Sequence, residues 1–502
     1  MSKTKKSLYN LIASLIQVLV MQVITLVVSR EVLAVYGSEI NGVNAVFTNT
    51  LVWLMLIEGG FTFASSVALF KAFAKKDVLQ ANKILSATKK VLYKIGAYVG
   101  LGGVVLAFVA PFFIKTSLSY ELMLSIFLLM AFGAFFGLIF TRKYLLMLSV
   151  KQEEYFKTSI AIVVSILINL LVYLIAVREV NYIWIRVVFV IGVLLTGIFT
   201  YILVKKRYPY ISYNEEPDMD AIKGTKDMVF NKLASLVNSS VPLIYIAAVV
   251  GASYASVYAV YMIVFGFITK LNMMVANAVQ NGFGQLIAEK NPDEVHKKFT
   301  VFEFLLIFTA FLLVSIAMPV TMPFIKFYTK NVFDVNYVNW NYLYLFVAIT
   351  LIKIIHIPSG IVMLMSGAFK KSKKFQIRAL VVLVLGIVIG GFFWKVEGIL
   401  LGIFVAGMVL AIQEIHYTRT EYFKTGFQSI YKILGFLVVT IGFLITIEFL
   451  FVPNELSFGQ IVYFTILFSI INFAIMGTLS YLFFNDIFKE VLAVINRMIK
   501  NK

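Results

Sequence analysis

The sequence predicts an all-α polytopic membrane protein of about fourteen transmembrane helices: two six-helix lobes related by a pseudo-two-fold along the membrane normal, plus two C-terminal helices. Three observations lead there: a strongly apolar composition, charge confined to short islands, and an internal repeat. Hydrophobic residues make up 61% of the 502, and mean hydropathy is +0.92, far above the roughly half-apolar usage of soluble domains. The charged residues separate apolar runs of about 20 residues, each long enough at about 1.5 Å per residue to cross a ~30 Å hydrocarbon core. Such runs fit helices rather than barrel strands.

The repeat joins distant parts of the chain. Asn10 to Gln17 (NLIASLIQ) returns as Asn231 to Asn238 (NKLASLVN). Val35, Gly37, Val43, Ala45 and Val46 reappear as Val249, Gly251, Val257, Ala259 and Val260, and Ala74 and Lys76 as Ala288 and Lys290. Duplicated apolar halves point to a transporter. Six spans separate each element from its copy, so both copies insert in the same direction.

In order, the spans are 8–29, 42–70, 91–114, 122–141, 157–177, 183–204, 228–250, 254–280, 300–325, 340–366, 376–394, 398–416, 431–452 and 460–484. The first is too long for a signal-peptide core and lacks a small-residue cleavage site. The N-lobe covers 1–205 and the C-lobe 226–420, followed by the two extra helices in 421–485. The stretch 206–225 is the most polar of the chain, holds Pro209 and Pro217, and reads as a cytoplasmic linker. The last segment, 486–502, sets Ile487, Phe488, Val491, Leu492 and Ile495 against Lys489, Glu490, Arg497 and Lys500, the pattern of an amphipathic helix lying on the inner surface.

Basic residues give the orientation. Lys3, Lys5 and Lys6, the clusters within 71–90, 142–157, 205–226, 290–298 and 370–378, and finally Lys489, Arg497 and Lys500 fall on one side. The other side holds little beyond Arg30, Lys115, Arg178, Lys326, Lys330 and Lys395. By the positive-inside rule both termini are cytoplasmic. The net charge of +19 is thereby a topology signal, and no nucleic-acid partner is expected.

Several chemistries drop out. There is no Cys, so thiolate catalysis, disulfides and Cys-based zinc sites are excluded. No Gly-rich loop ending in Lys-Ser/Thr is present, which argues against ATP hydrolysis. His296, His356 and His416 are too scattered for a metal set. No loop is long enough for a soluble catalytic domain, so the reading is a non-enzyme without metal or cofactor, driven by an H+ or Na+ gradient.

Polar residues inside the spans carry the functional argument, because hydrocarbon makes them costly unless they face a cavity or a partner. Asn10, Ser14, Gln17 and Thr25 share one face of the first span, and the repeat presents Asn231, Ser235 and Asn238. The second span carries Asn41, Asn44, Thr48, Glu58, Thr62 and Ser65; Glu58 lies roughly 20 Å from the cytoplasmic end. Its repeat counterpart is Asn272, beside Lys270 and ahead of Asn277. Span ten adds Lys353 and His356 on one face, followed by Pro358, Ser359 and Gly360, which should loosen or kink the helix there. Lys270, Lys353 and His356 suit an anionic ligand; alternatively they pair with Glu58 or with carbonyls freed by Pro358, or snorkel. A gradient-coupled carrier would use Glu58 as its ion site, and Arg142 stands at the cytoplasmic edge of span four as a headgroup contact or a topology charge.

Several segments carry a resemblance. IEGGFTFASSVALFKAFAKKD (57–77), KKRYPYISYNEEPD (205–218), VVGASYASVYAVYMIVFG (249–266), NGFGQLIAEKNPDEVHKKF (281–299), FYTKNVFDVNY (327–337), HIPSGIVMLMSGAFKKSKKFQ (356–376) and VEGILLGIFVAG (396–407) resemble, in order, the polysaccharide transporter family. These are the Wzx-like flippases of the multidrug/oligosaccharidyl-lipid/polysaccharide exporter superfamily, in the branch found in Gram-positive capsule and exopolysaccharide clusters. The resemblance implies export of a polyprenyl-pyrophosphate-linked oligosaccharide repeat unit across the bacterial cytoplasmic membrane, through a V-shaped cavity of alternating access. It implies membrane lipids, a polysaccharide polymerase and glycosyltransferases as partners. Glu58 stands where the family commonly has an acid. His356 replaces an Arg frequent in this branch, and Val241 follows Asn238, Ser239 and Ser240 where an acid is usual. Lys270, Lys353 and His356 would then meet pyrophosphate, Asn and Gln residues the sugar hydroxyls, and Tyr258, Tyr261 and Trp53 the sugar faces. Rival readings are a peptidoglycan-precursor (lipid II) flippase and a multidrug antiporter of the same superfamily; from a different class, a nonenzymatic assembly scaffold is a further alternative, whereas a polysaccharide polymerase would need a sizeable external loop that this sequence does not show.

Overall fold

A computed structural model of the chain describes residues 3–222, 226–487 and 489–490, most of them helical. The first helices are α1 (Lys3–Leu54), α2 (Leu56–Ala74), α3 (Val78–Val109), α4 (Tyr120–Phe136), α5 (Arg142–Val150), α6 (Glu154–Val177) and α7 (Ile183–Arg207). Then come α8 (Lys226–Val249), α9 (Ala252–Glu289), α10 (Pro292–Tyr328), α11 (Trp340–Ile355), α12 (Ile357–Met365), α13 (Phe369–His416), α14 (Gln428–Phe451) and α15 (Phe458–Phe483). Short polar residues start several of them. Asp77 accepts from the Gln80 amide at 2.9 Å to open α3, Asn291 caps α10 just ahead of Pro292, and Ser457 with Gln460 forms a reciprocal capping box on α15.

Eleven helices among the described residues are long and apolar enough to cross a membrane. Two of them are broken inside, α1 at Gly37 and α13 at Trp394 and Lys395. The halves on either side of these breaks, together with the shorter apolar stretches Ala64–Ala74 of α2 and Leu236–Val249 of α8, fall where the sequence places its spans. The break in α1 is a reversal. Asn10 pairs with Gln152 and Tyr155 where α6 begins, and Tyr36 donates to the Val180 carbonyl beyond its end. Past Gly37 the chain returns, bringing Ser65 to within 2.9 Å of Thr88 on α3. Gly37 has φ 80°, a left-handed conformation that costs glycine little. Its repeat copy, Gly251, has φ 143° and separates α8 from α9. The duplicated motif is therefore a duplicated helix break.

The surface is apolar where a soluble protein would be polar: Leu101 is 68% exposed, Val439 73% and Leu450 80%. Only a hydrocarbon surrounding makes such exposure inexpensive. The chain is a multi-pass membrane protein.

Two compact units divide the chain, 1–256 and 257–502. In the first, α1 packs along α6, α3 along α4, and α7 against α4 and α6. α8, which the repeat places at the head of the second lobe, packs on α1 and α2. There Asn41 donates to Ser256 at 2.7 Å, and a Cβ on Gly42 would lie 1.8 Å from the Ala252 carbonyl oxygen. The linker is strapped to α3: Gln80 donates to Asp218 at 2.7 Å, the Ser212 amide to Asn82 at 3.0 Å, and Lys89 to Asn214 at 2.9 Å. The hydrogen bond from Gln80, then that from the Ala221 amide, hold the Asp218 carboxyl below the ordinary carboxylate range. At the nearby end of α7, buried Glu153 takes two bonds from Arg207 (2.6 and 3.0 Å) and one from the Tyr208 hydroxyl.

In the second unit α10 packs against α11, α14 and α15, and α13 against α11 and α12. α13 folds back on itself through four glycines. Gly386 faces Gly402 and Gly390 faces Gly398 so closely that a Cβ on Gly398 would stand 1.9 Å from the Gly390 carbonyl oxygen. Glu303 and Arg419 form an ion pair with both side chains fully buried, and Arg419 also donates to Ser429 at 2.8 Å. The predicted amphipathic tail lies almost wholly outside the described residues; within it Glu490 pairs with Lys298 at 3.0 Å.

These contacts fix three outcomes. Gly398→Leu should cost more than about 3 kcal/mol, because backbone rather than a side chain blocks the new group. Gly435→Ala, with nothing within 4 Å of the added carbon, should leave the thermal midpoint in detergent unchanged or raised. Arg419→Met should destabilise by about 3–5 kcal/mol, and the double variant with Glu303→Leu should recover most of that loss. A denaturant titration of the purified protein reads these energies.

Candidate functional site

The first unit builds its site at a helix interruption. Met55 separates α1 from α2, and the first turn of α2 carries Glu58. Opposite, a π-helical turn over Gly137–Thr141 delivers Arg142 at the head of α5. Arg142 grips the carboxylate with both arms, Nε to Oε1 at 2.7 Å and NH2 to Oε2 at 3.0 Å, while Thr62 donates to Oε1. The two partners differ in access: the Glu58 side chain is 4% exposed, that of Arg142 41%. A buried carboxylate thus fixes a guanidinium whose remaining N–H groups have no partner among the described residues, an arrangement able to take a second oxyanion. Glu58 meets Arg142 in its own unit. The sequence offers Lys270 as one alternative partner for Glu58, and the 84 positions between Glu58 and Arg142 carry no spacing signal.

Lys143, next in the chain, turns the other way. It is buried, donates to the Tyr93 hydroxyl at 3.0 Å and lies over the Tyr93 and Tyr144 rings. The polar stripe of the first spans divides by use. Asn10 and Asn41 join helices, and Asn44 donates to Tyr182, which also takes two bonds from Arg186. Gln17 is half-buried. Asn238 is half-buried and partnered, and the side chains of Asn231 and Ser235 fall outside the described set.

The second unit has a comparable interruption. Pro358 opens α12, and His356 occupies the break between α11 and α12, as the sequence predicts. His356 Nδ1 stands 2.8 Å from Glu414 Oε2. Glu414 is buried at the end of α13, 58 positions away, and was invisible to sequence reasoning for that reason. Gly360 makes the approach feasible, since a Cβ there would lie 2.9 Å from Glu414 Oε2. Lys353, one turn before His356, is half-buried, and its ammonium has no partner among the described residues. Lys270 and Asn277 are exposed on α9. Asn272 is buried, donating to the Ile268 carbonyl and accepting from Thr309 at 3.1 Å.

The aromatic expectation needs correction. Tyr258 and Tyr261 are buried, both rings pack on Phe346, and the Tyr261 hydroxyl bonds to the backbone of Tyr337 and Asn339. Their faces are spent on packing within the unit. Trp53 is half-buried.

No family model matches the chain, and no curated protein does so. Solved structures do. A multidrug-resistance MATE family transporter of the MOP superfamily, in an inward-facing conformation, matches with a TM-score of 0.63 at 15% identity over 84% of this chain and 96% of that one. The lipid II flippase MurJ, in an inward closed conformation, matches with a TM-score of 0.63 at 15% identity over 95% of this chain and 99% of its own. A MOP superfamily transporter from Pyrococcus furiosus, described as having a binding pocket of reverse polarity, gives 0.57 at 13% identity over 87% and 97%. These neighbours are transporters and flippases rather than enzymes. The chain has the MATE- and MurJ-like transporter fold.

Proposed function

We propose that this chain is a flippase that carries polyprenyl-pyrophosphate-linked oligosaccharide repeat units across the bacterial cytoplasmic membrane by alternating access, for capsule or exopolysaccharide assembly. One observation carries the reading: a half-exposed Arg142 guanidinium is held in place by a buried membrane carboxylate, Glu58, and keeps N–H groups available for a phosphate. Guanidinium forks match phosphate oxygens in pairs, as an ammonium does not. Lys353, whose side-chain nitrogen has no partner among the described residues of the second unit, supports the same preference for an anion. Both termini are cytoplasmic in this reading; Arg142, eight residues before the end of the Tyr120–Val150 span and paired with Glu58, lies inside the bundle rather than at the cytoplasmic edge where the sequence reading put it.

Glu58 is the coupling group. A proton or Na+ arriving at its carboxylate competes with Arg142 for the same two oxygens and releases the guanidinium toward the pyrophosphate. Asn277, Gln17 and Asn238 contribute hydrogen bonds to sugar hydroxyls and Lys270 and His356 contacts to the pyrophosphate, whereas buried Asn272 is committed to Ile268 and Thr309. The partners are membrane lipids, the glycosyltransferases that make the substrate and the polymerase that consumes it. A lipid II flippase is the second reading, supported by the coverage of 95% of this chain and 99% of MurJ.

A deletion strain should accumulate lipid-linked oligosaccharide on the cytoplasmic leaflet and lose surface polysaccharide; normal surface polysaccharide would refute the proposal. Complementation by Arg142→Ala should fall about 10- to 100-fold, the worth of a lost charge-assisted pair, and Arg142→Lys should restore only part. Under an imposed gradient Glu58→Gln should no longer respond to the gradient. Rescue of cells depleted of their lipid II flippase would move the assignment to the second reading.

A further inference from the structure

The second unit holds an acid that the proposed cycle does not use. Glu448 lies one turn from the end of α14 with its side chain buried, and neither carboxyl oxygen has a hydrogen-bond partner among the described residues. Every other buried carboxylate described above meets a basic side chain: Glu58 meets Arg142, Glu153 meets Arg207, Glu303 meets Arg419 and Glu414 meets His356. Glu448 meets none. α15 carries no charged residue at all, α10 carries none between Glu303 and Lys326, and the only other charge on α14 is Lys432, sixteen positions away.

What does face Glu448 is Asn472 on α15, fully buried, with no hydrogen bond of normal geometry joining the two. Asn472 donates from Nδ2 to Ser315 Oγ on α10 at 3.0 Å, and Ser315 spends its own proton on the Leu312 carbonyl at 2.8 Å. The Asn472 carbonyl oxygen is left without a donor. Apolar side chains close the trio on both sides. Phe308, Phe311, Leu444, Ile445 and Met476 form one cluster, and Ile316, Val320 and Phe468 another with Val452 packed on it. In such surroundings a carboxylate without a cation is strongly disfavoured, and so is an acceptor without a donor. One proton answers both: a neutral Glu448 can face the edge of the Asn472 amide, its C=O toward the second Nδ2–H and its O–H toward the oxygen that lacks a donor.

We propose that Glu448 is a proton-binding site, carried as the neutral acid and hydrogen-bonded through Asn472 to Ser315, so that proton uptake fastens α14 and α15 onto α10. The fastening point is a weak part of α10. Pro319 and Pro323 interrupt its hydrogen bonding, and Pro319 deprives the Ser315 carbonyl of its helical partner. Loss of the proton leaves an unpaired carboxylate between two apolar clusters and drives α14 away from that joint. Proton release and the angle of α10 are thereby linked.

Infrared spectroscopy of the full chain in lipid nanodiscs tests this. The wild type at neutral pH should show the C=O stretch of a buried protonated carboxyl, shifted in deuterium oxide, and Glu448→Gln should lose it. Asn472→Leu should move the band to the position of a carboxyl without a hydrogen-bond partner, which keeps the test open if Glu448→Gln fails to fold. Absence of the band in the wild type would overturn the proposal. So would its removal by sodium chloride but not by choline chloride, which would assign the site to Na+ instead.

Discussion

Hydrocarbon offers no hydrogen bonds and little screening, so each charge that the chain takes into the membrane must find its counterpart inside the protein. Most of the interior polar structure follows from that constraint. Glu58, Glu153, Glu303 and Glu414 are each met by a base from another helix, and the pairs join distant stretches of chain: α2 to α5, the start of α6 to the end of α7, α10 to the segment after α13, and the α11 to α12 break to the end of α13. A pair of this kind contributes little net stability, since desolvation offsets much of the attraction, but losing either partner is expensive. Such pairs therefore specify which helices meet more than they hold the bundle together. Packing does the holding, through apolar clusters in both units and glycine-lined crossings such as Gly390 against Gly398.

The fold was largely legible in the sequence because its signals are local. A run of apolar residues is a crossing wherever it falls, basic islands mark the ends, and Pro358 breaks its helix whatever surrounds it. The repeat was legible too, and the structure gives it a physical content: Gly37 and Gly251 are matched in sequence and both take positive φ at a helix break. The site was legible only in part. Glu58 could be singled out as a carboxyl in an apolar span, and His356 as a polar residue beside a proline, since each announces its own cost. Their partners could not. Arg142 looks like any cytoplasmic-edge charge, and Glu414 sits in a polar helix end where an acid is unremarkable in sequence. Pairing is a property of the packed helices. Tyr258 and Tyr261 failed for the opposite reason: aromatic content is visible in sequence, but whether a ring faces a ligand or Phe346 is decided by the packing of α9 on its neighbours.

Both interruptions carry a buried carboxylate met by a basic side chain, and the coincidence has a mechanical basis. A continuous helix in lipid is stiff, because bending it exposes backbone groups that nothing can satisfy. At Met55 and at His356 the helix is already broken, so a change of angle there costs less than elsewhere. Glu58 with Arg142 ties the first break to α5, and Glu414 with His356 ties the second to α13. A pair that ties a joint also controls it, since neutralising one partner removes the tie and leaves the joint free to bend. Glu448 belongs to the same scheme by a different route, standing beside the proline-weakened part of α10 with a proton where the others have a base. The two ways of neutralising a buried carboxylate respond to different agents: an anionic ligand competes for the base, whereas a proton gradient supplies or withdraws the proton. Under the proposed function cargo and energy source must be told apart, and a bundle that answers some carboxylates with bases and another with a proton has a physical means to do so.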